Sequence, residues 1–191
     1  MNTYINKIFF SICLTILIGC SDRSQIEGLV FSDKVQTVDV NKEITVSNNN
    51  SQSYIGTLRI NDTDYNYTIS YYKILYNNGT IQQYLVSVLI NPPLGFAKSN
   101  GGTIYSVPEG ISINSGMGYF SGSLPIINYY NNTNNAANTV KLDETFYIGF
   151  NIGGNTEFAS YGWLKLLISK DKITIFNYGY KTGNPINAGE N

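Results

Sequence analysis

Between Tyr65 and Tyr72 the chain alternates with a period of two. Tyr65, Tyr67, Ile69 and Tyr71 fall on one side, and Asn66, Thr68, Ser70 and Tyr72 on the other. This is the pattern of a strand with one buried face. The run ends in Asn77-Asn78-Gly79, residues that accept the positive φ of a tight hairpin turn. A second apolar run, Thr80 to Ile90, follows at once. The spacing predicts an antiparallel hairpin of 65–76 with 80–90, stopped by Pro92-Pro93, which cannot donate to a ladder. A chain so punctuated has few choices besides an antiparallel sheet.

The C-terminal third repeats the logic. Phe146, Ile148, Phe150 and Ile152 alternate with Thr145, Tyr147, Gly149 and Asn151 before the turn Gly153-Gly154-Asn155. Tyr161–Ser169, with Leu164, Leu166 and Ile168 on one face, is predicted to turn at Lys170-Asp171 and return as Lys172–Tyr180. A helical stripe of Trp163, Leu164, Leu166 and Leu167 is the rival for this segment, but the β-rich partner run and the lack of a capping residue favour a strand. Shorter strands are expected at Val35–Val40, Tyr54–Ile60, Thr103–Val107 and Met117–Phe120, and a polar loop at Asn128–Thr139. Many short strands with frequent turns indicate an all-β fold. We expect an antiparallel β-sandwich, jelly-roll-like, with little or no helix outside an N-terminal signal segment.

Composition narrows the chemistry. Only 13% of residues are charged, the net charge is −1, and no run of Lys or Arg occurs, so nucleic acid is not an expected partner. There is no histidine, which removes Ser-His-Asp and Cys-His catalysis and imidazole-ligated zinc. The 25 Asn and 16 Tyr accord with an AT-rich genome as readily as with a binding role.

The N-terminus carries a second message. Lys7 precedes an apolar run from Ile8 to Ile18, followed by Gly19 and Cys20. Eleven residues are too few for a spanning helix, which needs about 20, but they suit the apolar part of a secretory signal. The segment Leu17-Ile18-Gly19-Cys20 resembles the lipobox of bacterial lipoproteins. That resemblance implies cleavage before Cys20, diacylglyceryl attachment to its thiol, and residence in the bacterial cell envelope. Ser21 rather than Asp after the cysteine implies, by analogy, the outer membrane. Residues 1–19 then form the signal peptide, 20–28 the lipidated cysteine and a polar tether, and 29–191 a single β-domain.

Four segments of the last 46 residues carry another likeness: Phe146-Tyr147-Ile148-Gly149-Phe150, Tyr161-Gly162-Trp163, Ile173-Thr174-Ile175-Phe176-Asn177-Tyr178-Gly179-Tyr180 and Pro185-Ile186-Asn187-Ala188-Gly189. Their order resembles the C-terminal half of a group of secreted, poorly characterised bacterial β-proteins. The likeness implies an exported β-domain and no particular reaction.

Candidate sites are few. Asp62, Asp64 and Asn66 have the D-x-D-x-N spacing that opens a calcium loop, yet Tyr67 stands where the turn needs glycine and Lys73 where a bidentate glutamate belongs. A solvated turn before a strand is the simpler reading. Tyr129 and Tyr130, beside the amides of the Asn-rich loop, could stack on sugar rings, with Tyr119, Tyr178 and Tyr180 as helpers. Trp163 reads as a core anchor. Carboxylates for a glycosidase exist at Glu109, Asp143, Glu144, Glu157 and Asp171, but no spacing pairs them in a site. The sequence therefore predicts a lipid-anchored, non-enzymatic module without a cofactor that contacts a glycan or protein partner. A carboxylate-based polysaccharide hydrolase is the alternative.

Overall fold

The computed structural model describes residues 34–130, 133–134, 140–154, 156 and 158–191. In chain order the strands are β1 (Gln36–Thr45), β2 (Asn50–Ile60), β3 (Thr63–Leu75), β4 (Ile81–Ile90), β5 (Leu94–Ala97), β6 (Ser106–Val107), β7 (Ser112–Ile113), β8 (Tyr119–Phe120), β9 (Gly122–Tyr130), β10 (Thr133–Asn134), β11 (Thr145–Ile152), β12 (Ser160–Ile168), β13 (Lys172–Thr182) and β14 (Ile186–Asn187). There is no helix among the described residues. Two antiparallel sheets form a β-sandwich, as the alternation predicts. The first sheet runs β1-β13-β12-β11-β5-β8, with β6 also on β11; the second runs β10-β9-β4-β3-β2.

Each sheet is built around a three-strand meander of near-continuous register. In the second sheet β2, β3 and β4 are joined by two tight turns. Asn61 and Asp62, at φ 47° and 61°, make the first, and Gly79 closes the second by donating to the Tyr76 carbonyl at 2.9 Å. Both use residues that tolerate left-handed backbone. In the first sheet β11, β12 and β13 pair from Thr145↔Leu167 through Ser160↔Thr182. The inward residues Leu58, Tyr67, Ile69, Val86 and Val88 of one sheet meet Ile148, Phe150, Leu164, Leu166 and Ile175 of the other in a single apolar core.

Bulges alter which side chains point inward, because one extra residue reverses the alternation beyond it. In β13 the register breaks at Phe176, so Tyr178 and Tyr180 turn into the core. In β9 it breaks at Ile126, so Ile126 and Ile127 are both buried.

The first sheet is also buried on its outer face. Tyr147, Tyr161 and Trp163 pack there against Val107, Ile113, Ile186 and Ala188, which come from the 105–117 region and the C-terminal segment. The short ladder β7–β14 joins those two covering pieces. Trp163 is a buried anchor as expected, but it lies on the face opposite Leu164 and outside the inter-sheet core. Its indole lies across Gly179, its cross-strand partner. A Cβ at Gly179 would come within 2.6 Å of the Trp163 ring, and one at Gly162 within 2.5 Å of the Gly179 carbonyl oxygen.

Candidate functional site

The two ends of the sandwich are closed by polar side chains that reach between the sheets. At one end the Tyr178 hydroxyl accepts from the Arg59 N–H at 2.8 Å and donates to the Arg59 carbonyl at 3.1 Å. The Tyr180 hydroxyl donates to the Gln36 side chain at 2.6 Å. These tyrosines bolt β13 to neighbouring strands, and at 2% and 4% exposure they are not a sugar platform. The bulge at Phe176 turned them inward. Tyr119 is also occupied, donating to the Asn114 carbonyl at 2.9 Å beside the Tyr161 ring.

At the opposite end Lys73, inward on β3, is buried to 1%. Its ammonium donates to the Lys170 carbonyl at 2.6 Å and to the Asp171 carboxylate at 3.0 Å. Such a charge is tolerated because it is paired and hydrogen-bonded. Tyr84 donates to the Ser169 carbonyl at 3.1 Å. Burial holds its hydroxyl well above the ordinary phenol value, and the charges of Tyr71, Asp171 and Asp143 push it the same way. Asp143 and Asp171 thus come to one end of the molecule, where Lys73 already engages Asp171. Glu144 is met by Lys141 at 3.4 Å, and Glu109 lies by the C-terminal segment near Gly189. Glu157 falls outside the described residues.

The calcium candidate resolves into the β2–β3 turn and the strand after it. Asp62 is in the turn, while Asp64 and Asn66 point outward two residues apart along β3, about 6–7 Å at strand rise. Arg59 lies 3.6 Å from Asp62 and 3.9 Å from Asp64, so a guanidinium already sits between the two acids. Asn66 accepts from Thr57 at 2.9 Å. Among the described residues no His, Cys, Asp and Glu gather in a metal-binding group.

Tyr129 and Tyr130 end β9, and β10 pairs back onto them; residues 131–132 and 135–139 of the expected Asn-rich loop lie outside the described residues. The β9 bulge puts Tyr129 on the inner side, packed against the core, and Tyr130 on the outer side, 52% exposed. They cannot act together. Tyr130 belongs instead to the outer face of the second sheet. There Gln83 pairs with Tyr130, and the next row runs Ser51, Tyr72, Leu85, Asn128 across β2, β3, β4 and β9. The row beyond is Ser53, Ser70, Ser87, Pro125, with Ser53 and Ser70 hydroxyls 3.0 Å apart. Tyr72 and Tyr130 stand two strands apart, about 10 Å. Apart from Arg59 and Asp64 at one end, the outward side chains described on this face carry no charge. Alternation marked Tyr72 as outward in the sequence; that Tyr130 shares its face depends on strand order, which no local pattern encodes.

A hollow of about 280 Å³ between Ala97–Asn100 and Tyr105, Met117 and Gly118 lies elsewhere, at the covered side. It is below the ~300–1,000 Å³ usual for small-molecule sites. Cys20 and its flanking segment lie outside the described residues. Compared with known proteins, the chain matches no family model, no curated protein and no solved structure.

Proposed function

We propose that this chain is an exported lipoprotein, held at the bacterial outer membrane by acylated Cys20, whose second sheet binds an uncharged polysaccharide on its outer face. The observation that carries the reading is the contrast between two outer faces. One is covered by the chain's own segments, and the other is left open with Tyr72 and Tyr130 among serines, Gln83 and Asn128. Aromatic faces stack on the apolar faces of sugar rings, while hydroxyls and amides bond the sugar hydroxyls. A flat, neutral surface suits an extended chain better than a small ligand.

Retention on insoluble polysaccharides tests the binding. Wild-type protein should be retained by at least one neutral polymer, and Tyr130→Ala should lower retention about tenfold, the value of one good contact of roughly 1.4 kcal/mol. Retention unaffected by both Tyr72→Ala and Tyr130→Ala would remove this face from the reading. For the anchor, Cys20→Ser should release the protein from the membrane fraction, and unchanged fractionation would remove it. A second reading, a carboxylate-based polysaccharide hydrolase, draws on the placing of Asp143 and Asp171 at the same end of the sandwich, Asp143 bonded to Ile168 at the end of β12 and Asp171 in the turn that follows it. Polysaccharide cleavage that Asp143→Asn abolishes would establish it.

A further inference from the structure

The two sheets end on one side in strands adjacent in sequence, and these edges are treated differently. β1, at the edge of the first sheet, breaks register between Asp39 and Lys42, has Asn41 at φ 47°, and carries Asp39, Lys42 and Glu43. Bulges and charges are the usual means of preventing a free edge from pairing with another chain. β2, at the edge of the second sheet, has neither in its centre. Its pairing with β3 runs without a break from Asn50↔Lys73 to Ile60↔Thr63, and no charged residue occurs from Asn50 to Leu58.

The direction of its backbone groups follows from the turn. Ile60 and Thr63 close a two-residue hairpin, so the even-numbered residues of β2 bond to β3 and the odd-numbered ones point away. Arg59 confirms the phase, since its outward N–H and C=O are both taken by the Tyr178 hydroxyl. Ser53, Ile55 and Thr57 follow with no backbone partner on that side among the described residues. Their side chains are exposed, and Ile55, at 67%, is the most exposed large hydrophobic residue described.

We propose that this edge pairs with the same edge of a second copy of the chain, antiparallel, about a two-fold axis at Ile55. The sequence is complementary to itself in that register. Ile55 faces the partner's Ile55, and Ser53 faces the partner's Thr57, each pair exchanging backbone hydrogen bonds. Ser51 faces the partner's Arg59, so no like charges meet, and the Tyr178 contact at Arg59 ends the new ladder. Pairing buries Ile55 against its own copy and joins the two five-stranded sheets into one. The proposal does not depend on polysaccharide binding.

Sedimentation of the full-length protein in mild detergent, with native-state hydrogen exchange, tests it. Wild type should sediment as a dimer. Ile55→Lys, which sets two ammonium groups face to face, should give the monomer mass. Thr57→Pro, which removes an outward N–H and none bonded to β3, should do the same. As protein concentration rises, the Ser53, Ile55 and Thr57 amides should exchange more slowly, while Tyr54 and Gly56 stay unchanged. Leu89→Lys, on the same face but away from the edge, should remain dimeric. A wild-type monomer, concentration-independent exchange at Ser53, Ile55 and Thr57, or a dimer that only Leu89→Lys disrupts would each overturn it.

Discussion

The outer faces of the two sheets were built from similar residues and put to different use. Tyr147, Tyr161 and Trp163 of the first sheet and Tyr72 and Tyr130 of the second all stand outward from the sandwich. The first three are roofed by the 105–117 region and the C-terminal segment, while Tyr130 is exposed and Tyr72 half-buried. An aromatic residue on an outward strand position is therefore ambiguous. What decides its role is whether another part of the chain returns to cover it.

That contrast can be tested by substitution. The largest effect should come from Trp163→Ala, which empties the centre of the roofed face and should cost about 3–5 kcal/mol in denaturant unfolding. A loss below about 0.5 kcal/mol would place that face on a par with an ordinary surface. Gly162→Ala should cost about 1–3 kcal/mol, because its Cβ meets the Gly179 carbonyl and the Phe150 ring. A neutral result would mean that the close packing of β12 against Phe150, on the core side of the sheet opposite Trp163, is slack.

A smaller effect concerns the end of the roof. Glu190 pairs with Lys181 and accepts from the Asn187 N–H at 2.8 Å. The Lys181 bond, and then the Asn187 bond, hold its carboxyl below the usual carboxylate range. A lowered folded value means that the stabilisation is complete above the ordinary pKa, about 4.3, and is lost as pH falls through the folded value. Trp163 fluorescence should therefore report loosening of the roof on acidification below about pH 4, and Glu190→Gln should abolish that step. An unchanged step would assign it to another carboxylate. Smallest of all, Tyr130→Ala on the bare face should change stability by no more than about 0.5 kcal/mol while weakening polysaccharide retention. A large stability loss there would make Tyr130 structural and end the contrast.

Much of the fold was legible because burial imposes a period that a strand cannot avoid. The hairpin predicted at 65–76 and 80–90 appears as Thr63–Leu75 and Ile81–Ile90, and the C-terminal meander lies within a residue or two of its expected bounds. The bulges were not legible. Ile126-Ile127 and Phe176-Asn177 look like ordinary strand sequence, yet each shifts the alternation and so sets Tyr129 rather than Tyr130 toward the core, or turns Tyr178 and Tyr180 inward. Strand ends also moved where tertiary pairing outweighed local composition. Asn128–Thr139, expected as a loop, contains the end of β9 and the short β10, and Thr103–Val107 retains only Ser106–Val107 as a strand. The candidate site was half readable, since a face can be read along one strand but its neighbours across the sheet cannot.

The pairing of β1 with β13 sets a condition in time. Gln36 lies opposite Tyr180, 144 residues later, and the hydroxyl of that tyrosine bonds the Gln36 side chain. During synthesis β1 waits for its partner until nearly the whole domain has been made, whereas β2, β3 and β4 can join as soon as their two short turns emerge. Contacts that close so late slow folding, because chain entropy is lost before they form. The second sheet should therefore assemble first, and the first sheet should close over it last.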